Sequence, residues 1–249
     1  MKLLVDLGNT RLKWATVKNG RLQVGGVFAH VGKPLLLDLR AGWAELSRVD
    51  AVLVASVVAP AREEELDAFV RERFDLAADF VRSPSVAFGV RNAYVEPGRL
   101  GVDRFLALAA LHVQQPRARV LASVGTALTL DALGADGVHH GGLIIPGPHM
   151  MREALLAGTA RVGGVDGHYV EMPRTTADAV TSGTLYASAG AIERFRVAAQ
   201  RVLGSEPVLT LTGGGAEQIA SLVAPVERAH DLVLHGLALW ATEPPALAG

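Results

Sequence analysis

The chain has 249 residues, half of them hydrophobic, and acids and bases are interspersed to give a formal net charge of −1. This composition excludes a disordered chain and gives no sign of a nucleic-acid surface, and no apolar stretch reaches the roughly 18–20 residues of a membrane span. The absence of cysteine excludes disulfides, cysteine–zinc sites and thiol catalysis, so we expect a soluble, cytoplasmic, globular protein.

The chain opens with the pattern of an antiparallel hairpin. Leu3–Val5 predicts a short buried strand, and residues 12–17 alternate between apolar and polar side chains, as a second strand does. Asn19-Gly20 predicts a two-residue turn into a third strand. The turn between the first two strands, which follows Asp6, contains only small or polar residues.

An α/β layer architecture follows from the next segments. Ala51–Ala59 is a continuous apolar run typical of a buried parallel strand, and Ala61–Phe74 has an amphipathic helical pattern. Val102–Val113 is also helical, and the polar segment Gln114–Arg119 then interrupts the pattern with a proline. We place the boundary between two domains there, giving residues 1–116 and 117–249.

The second half repeats the opening pattern. Val120–Gly147 again predicts a strand, a small-residue turn at Gly125-Thr126 and an alternating strand, followed by a turn near Asp136 and a further strand. We interpret this as a duplication rather than two unrelated hairpins. Two similar halves predict a cleft between them, where ligands commonly bind. Helices are expected over Thr175–Leu203 and His230–Thr242.

The opening turn has two interpretations. The simpler is a hairpin with a polar turn; the other is a site for phosphate and metal. Backbone N–H groups and hydroxyls of Gly8-Asn9-Thr10 could donate to phosphate oxygens, and Asp6 could bind Mg²⁺ directly or through water. The repeated turn favours the second interpretation.

A third glycine-rich element, Thr212–Gly215, precedes a predicted helix. It is either a tight strand–helix turn or a close approach of the backbone to a nucleotide base or ribose. The Walker A pattern, the dinucleotide-binding glycine pattern, the hydrolase nucleophile elbow and histidine metal motifs do not occur in the sequence. His139-His140 adjoin a predicted turn and are expected at the surface, with a phosphate contact as the alternative.

Asp103-Arg104 opens the helix after Gly101. An acid in a first helical turn favourably complements the helix dipole, which is the structural interpretation. The functional interpretation is that Asp103 accepts a proton from an attacking hydroxyl while Arg104 holds an anionic substrate.

Taken in order along nearly the whole chain, these motifs resemble type III pantothenate kinases, including the Bvg accessory factor branch. The matching residues are Asp6-Leu7-Gly8-Asn9-Thr10, Tyr94, Gly101-Val102-Asp103-Arg104, Gly125-Thr126-Ala127, Gly141-Gly142, Pro146-Gly147, Thr176, Ser182-Gly183 and Thr212-Gly213-Gly214. The resemblance implies the actin-like ATPase fold of two ribonuclease-H-like domains, a homodimer, and transfer of the γ-phosphate of ATP to pantothenate in the first step of coenzyme A synthesis.

The resemblance also implies roles for individual residues. Asp103 would accept the proton, and Asp6 would bind Mg²⁺. The first ATP loop would comprise Asp6, Leu7, Gly8, Asn9, Thr10, Arg11, Leu12 and Lys13, with Thr126 contacting ATP from the second loop; pantothenate would be bound by Tyr94, Gly101, Val102, Asp103, Arg104 and Thr176.

One position departs from the family pattern. Many relatives carry an aspartate two residues before the second Gly-Thr, where it binds a monovalent cation, and this chain has Ser123. A neutral hydroxyl is a far weaker cation ligand than a carboxylate, so we expect weak or absent dependence on K⁺ or NH₄⁺.

Two other functions compete with pantothenate phosphorylation. A different actin-like kinase for another small alcohol or acid would also use the duplicated phosphate loops, although the segment from Tyr94 to Arg104 favours pantothenate. A non-catalytic regulatory protein is the second alternative. The near-zero net charge argues against direct DNA binding, and the presence of Asp6 and Asp103 argues against an inactive enzyme.

Overall fold

The computed structural model describes residues 1–30, 35–159 and 166–245. The chain divides into two compact units, Met1–Gln115 together with Asp231–Gly249, and Pro116–His230. The first boundary lies in the polar segment where the sequence predicts it. The grouping of the last segment differs from the predicted second domain of 117–249, because the closing helix packs on the helix and strands of the first unit.

Among its described residues, the first unit contains seven strands and four α-helices. These are β1 (Lys2–Leu7), β2 (Arg11–Lys18), β3 (Arg21–Ala29), α1 (Leu35–Gly42), β4 (Ala51–Ser56), α2 (Pro60–Phe74), β5 (Ala78–Val81), β6 (Val86–Ala87), β7 (Val90–Arg91), α3 (Val102–Gln114) and, from the end of the chain, α7 (Leu232–Thr242). A short 3₁₀ helix, Pro97–Arg99, precedes α3.

Five of these strands form one sheet in the order β3-β2-β1-β4-β5. β1, β2 and β3 pair antiparallel, whereas β4 and β5 add in parallel. One face of β1 is apolar: Leu3, Val5 and Leu7 are fully buried in a core with Trp43 and Phe69. Side chains alternate across a strand, so Asp6 lies on the opposite face, against which α7 packs.

The second unit contains five strands and three helices in the part that the structure describes. These are β8 (Arg119–Val124), β9 (Ala127–Leu133), β10 (His139–Pro146), α4 (Pro148–Gly158), α5 (Thr176–Leu203), β11 (Val208–Thr212), α6 (Ala216–Ala220) and β12 (Glu227–Arg228). Its sheet has the order β10-β9-β8-β11-β12, with the same sequence of antiparallel and parallel pairings. The predicted duplication is therefore confirmed in the topology of the two sheets.

Local signals in the sequence explain where several elements begin and end. Helix α2 begins at Pro60, whose fixed backbone suits a first helical position, and is followed by Asp75 in the left-handed conformation. Helix α5 is capped by Thr175, whose hydroxyl accepts from the amide of Asp178, and Gly204 follows its last residue. Among the described residues, no helix combines the length and hydrophobicity that a membrane span requires.

Candidate functional site

The central carboxylate of the first unit is Asp6. It lies within β1, one residue before the strand ends, and pairs directly with Lys13 across the antiparallel β1–β2 ladder. Residues opposite each other in such a ladder project from the same face of the sheet. The hairpin therefore places an acid and a base side by side, next to the turn that the sequence predicts to bind phosphate.

The turn itself is tightly held. The Gly8 amide donates to the Arg11 carbonyl at 3.1 Å, which closes the loop between β1 and β2. Behind it, the ring Nε2 of His30 lies 2.8 Å from the Gly8 carbonyl oxygen, and the His30 amide donates to the Thr10 carbonyl at 3.1 Å. Both carbonyl groups are thus occupied on the side of the turn that faces His30.

The last helix of the chain supplies a further acid. Asp231 precedes α7 in a left-handed conformation, with φ of 51°, and its side chain makes no cap of that helix. Instead its carboxylate accepts from the Lys13 ammonium at 3.2 Å. Lys13 therefore contacts Asp231 and is also the strand partner of Asp6.

The charge balance around Asp6 is negative. Desolvation in the fold and the charge of Asp103 raise the pKa of the Asp6 carboxyl, the Lys13 ammonium lowers it, and Asp231 raises it again, with a result of about 7. Asp6 and Asp103 thus interact electrostatically, although they are far apart in the sequence. A carboxylate that is costly to ionise in the free protein is one that an added cation would stabilise.

Except for Thr176, the residues predicted to bind substrate lie at or near the start of α3. Asp103 lies in the first turn after Gly101, and one of its carboxylate oxygens accepts from the Arg104 amide at 2.8 Å. Arg104 is 5% exposed, and its guanidinium donates to the Tyr94 hydroxyl at 3.0 Å while lying over the tyrosine ring. A buried guanidinium fixed in this way is suited to an anionic group.

The second predicted turn, Gly125-Thr126, connects β8 and β9. The Gly125 amide donates to the Ala127 carbonyl at 3.0 Å, and the Gly147 amide donates to the Thr126 carbonyl at 2.9 Å. A Cβ added to Gly147 would lie 2.3 Å from the Gly125 carbonyl oxygen, so the close approach requires glycine. The glycine element after β11 also contacts this turn, because the Gly215 amide donates to the carbonyl of Val124, the residue before Gly125, at 3.0 Å.

Several predicted residues can act only through their backbone. Leu7, Leu12 and Val102 have buried side chains in the core, so none of these side chains is available to a ligand.

Three other predicted positions have different surroundings. Arg11 and Thr176 are exposed, the latter at the first position of α5. Ser123 lies on β8, next to Thr129 on β9 and Thr212 on β11.

One expectation from the sequence is wrong. His139 is 1% exposed rather than at the surface, and its Nε2 lies 2.9 Å from a carboxylate oxygen of Asp131, which is equally buried. The strand β10 begins at this residue, which turns its side chain towards β9. His140, the next residue, is exposed as expected.

Sequence reasoning missed His30 and Asp231. His30 directly follows an edge strand and belongs to no motif, and Asp231 resembles an ordinary residue before a helix. Only the pairing of β2 with β3, and the packing of α7 on β1 and β2, bring these two side chains to the first turn.

The chemistry of Asp6 fits Mg²⁺. Within the described ranges, no group of three or more His, Cys, Asp or Glu side chains could hold a metal by itself. Mg²⁺ in phosphoryl-transfer sites commonly takes one or two carboxylates and completes its shell with water and substrate phosphates. The single carboxylate of Asp6 is therefore compatible with Mg²⁺. The excess negative charge around Asp6 is what such a cation would neutralise.

Comparisons with known proteins identify the family of this chain. A family model described as type III pantothenate kinase matches residues 2–198. A type III pantothenate kinase from Xanthomonas oryzae pv. oryzae strain PXO99A is 43% identical over 239 residues, which cover 96% of each chain. One from Xanthomonas campestris pv. campestris strain 8004 is 42% identical over 243 residues, or 98% of each chain.

Solved structures share the fold at low sequence identity. A protein named as a Baf family transcriptional activator, from Campylobacter jejuni, aligns with a TM-score of 0.61 at 16% identity, over 96% of this chain and 98% of that one. A protein named as a 2-dehydro-3-deoxygalactonokinase from Sinorhizobium meliloti gives 0.60 at 14% identity, over 98% and 100%. The fold is the α/β actin-like ATPase fold. From the family match over most of its length, the chain belongs to the type III pantothenate kinase family.

Proposed function

We propose that the protein phosphorylates pantothenate with ATP, giving 4'-phosphopantothenate in the first step of coenzyme A biosynthesis, and that it acts in the cytoplasm. Family membership supports the reaction. The observation in the structure that carries the proposal is the electrostatic coupling of Asp6 and Asp103, the two carboxylates to which the sequence assigns the metal and the proton.

In the proposed reaction, the substrate hydroxyl oxygen attacks the γ-phosphorus of ATP and the bond to the bridging oxygen of ADP breaks. Asp103 accepts the hydroxyl proton from its place in the first turn of α3. Arg104, buried and fixed by Tyr94, holds the carboxylate of pantothenate. Gly101, Val102 and Thr176 stay predicted substrate contacts.

The first turn binds the ATP phosphates through its backbone donors, and Lys13 contributes the positive charge that remains beside Asp6. Mg²⁺, held by Asp6 directly or through water, would neutralise phosphate charge when bound. A contact of Thr126 with ATP stays a prediction. We also propose weak or absent dependence on K⁺ or NH₄⁺, because Ser123 provides no carboxylate.

A homodimer is part of this proposal. Helix α4 has no buried residue in the single chain, although it is 11 residues long. Large apolar side chains are exposed on this helix and on the segments around it; they are Leu143, Ile144, Met150, Leu155, Tyr169, Val170, Met172 and Tyr186. Helix α4 packs on β10 and α5, so these residues form an apolar surface suited to a second copy.

The central test compares wild-type protein with Asp103→Asn. Wild-type protein is expected to form 4'-phosphopantothenate from ATP and pantothenate with and without K⁺ or NH₄⁺, and Asp103→Asn to lower kcat by about 10²–10⁴-fold. ATP binding by the variant, measured by calorimetry, should remain. Full activity of Asp103→Asn would contradict its role, and a strong cation requirement would contradict the inference from Ser123.

If wild-type protein binds ATP but does not phosphorylate pantothenate, the proposed substrate is wrong. Assays with other small alcohols and acids would then separate a different kinase from a regulatory protein that binds nucleotide without turnover.

A further inference from the structure

A buried histidine that the proposed reaction does not use lies behind the first phosphate turn. His30 follows the last residue of β3 and is 3% exposed. Its ring Nε2 and its backbone amide contact the carbonyl oxygens of Gly8 and Thr10, at 2.8 and 3.1 Å. One residue thus holds two carbonyl groups on either side of Asn9.

The direction of the ring contact is set by its chemistry. A carbonyl oxygen can only accept a hydrogen bond, so Nε2 of His30 carries the proton and donates to Gly8. Since the peptide between Gly8 and Asn9 is planar and trans, the Asn9 N–H points opposite to the Gly8 carbonyl. Fixing that carbonyl on the histidine side therefore fixes the Asn9 N–H on the other side of the turn.

This peptide needs such an anchor. Glycine adopts conformations of either sign of φ, and asparagine tolerates the left-handed region better than most residues, so a peptide between them can rotate at little cost. Rotation by half a turn would present the Gly8 carbonyl oxygen, which repels phosphate, where the Asn9 N–H now points. The Gly8 N–H is already used in the bond that closes the turn.

We propose that His30 is a positioning residue for ATP, acting through the Gly8–Asn9 peptide so that the Asn9 N–H donates to a phosphate oxygen. The proposal rests on the proposed function, because it assigns a part to the phosphate turn of that same site. It predicts that the donor on the ring, rather than the bulk of the ring, sets the affinity for phosphates.

The test compares donor-free and donor-keeping variants. His30→Leu and His30→Met fill the space without a donor, whereas in His30→Gln the amide Nε2 takes about the place of the ring Nε2. Calorimetry with ATP·Mg²⁺ and with adenosine, which has no phosphate, gives the readout. His112→Leu is a matched control, because this histidine belongs to the same unit and its Nδ1 is buried without a partner among the described residues.

We expect the two donor-free variants to weaken ATP binding by about tenfold or more, with His30→Gln within about threefold of wild type. Adenosine binding and the KM for pantothenate should stay near wild type in all three variants and in the control. Thermal melts show whether each variant is folded. If one of the two donor-free variants does not fold, the other can still be compared with wild type.

Equal ATP binding by donor-free and wild-type proteins would overturn the proposal, as would an equal loss for His30→Gln. A parallel loss of adenosine binding would also overturn it, since it would indicate general disruption. If wild-type protein itself binds no ATP, the proposed function is wrong. If wild type and His30→Leu bind ATP equally well, only the role of His30 is wrong.

Discussion

At the scale of single residues, the site is governed by an unfavourable charge balance. Asp6 is surrounded by Asp103, Asp231 and a single ammonium, from Lys13. In the free protein this arrangement costs stability, and a bound cation with ATP would recover it. The repulsion among these carboxylates therefore favours the binding of a cation beside Asp6.

The sign of this effect with pH can be tested with Asp6→Asn. Desolvation and Asp103 raise the folded-state pKa of Asp6 from 3.8 to about 7. Between these values the unfolded chain releases its proton first, so wild-type stability falls as pH rises and stays reduced above pH 7. We expect the free energy of unfolding of Asp6→Asn to exceed that of wild type by about 1–3 kcal/mol at pH 8. This difference should vanish near pH 4.

The measurement is denaturant unfolding without ATP or Mg²⁺. Asp67→Asn is a control of opposite sign, because a hydrogen bond from the Ala78 amide, together with Arg71, lowers the pKa of Asp67. That variant should lose stability at pH 8 and regain it relative to wild type as the pH falls. An unchanged or less stable Asp6→Asn protein at pH 8 would contradict the assigned charge balance.

At the scale of elements, the second unit brings three backbone segments together at one turn. Gly147 bonds to Thr126 in the β8–β9 turn, Gly215 bonds to Val124 at the end of β8, and Gly213 also lies close to Val124. A Cβ added to Gly213 would lie 2.4 Å from the Val124 carbonyl oxygen. The packing of these segments therefore depends on the absence of a side chain.

Gly213→Ala tests this packing, and Gly141→Ala is its matched control. Both glycines have φ of 92°, but a Cβ at Gly141 would meet nothing within 4 Å. The backbone strain of about 1–2 kcal/mol is common to both variants, and the overlap with Val124 adds about 1–3 kcal/mol to Gly213→Ala alone. Urea unfolding measures the difference in the free energy of unfolding. Equal stabilities of the two variants would contradict the prediction, because they would show that the backbone near Val124 can move to accommodate the added Cβ.

Much of the element scale could be predicted from sequence. The helical pattern of Ala61–Phe74 and the strand Ala51–Ala59 correspond to α2 and β4, because period and apolar content report burial directly. The short strand β12 and the helix α1 were not predicted. β12 is two residues long and exists only through its parallel pairing with β11, so no local pattern marks it.

At the scale of the whole molecule, the apolar surface on β10, α4 and α5 is the feature that a single chain leaves unexplained. The tyrosine rings of Tyr169 and Tyr186 pack together at 6.0 Å, yet both residues stay more than 40% exposed. The adjoining segment is held on α5, since the Val170 amide donates to the Ser182 hydroxyl at 2.9 Å. An ordered apolar surface of this kind favours a partner.

The proposed dimer predicts that charges on this surface separate the subunits. Ile144→Asp and Met172→Asp should each reduce the mass in solution from twice the 26.1 kDa of the chain towards a single chain. Leu37→Asp is the control, since Leu37 is 66% exposed on α1 in the other unit. Light scattering after gel filtration gives the mass. A wild-type monomer, or dimers in both variants, would contradict this dimer surface.

The α/β class, the duplicated hairpins and the family could be predicted from the sequence, because they depend on periodicity and on small residues at turns. The tertiary structure decided which side chains meet. The coupling of Asp6 with Asp103, the pairing of Lys13 with Asp231 and the anchoring of Gly8 by His30 join distant segments. Sheet pairing and helix packing create these contacts, and no local pattern in the chain encodes them.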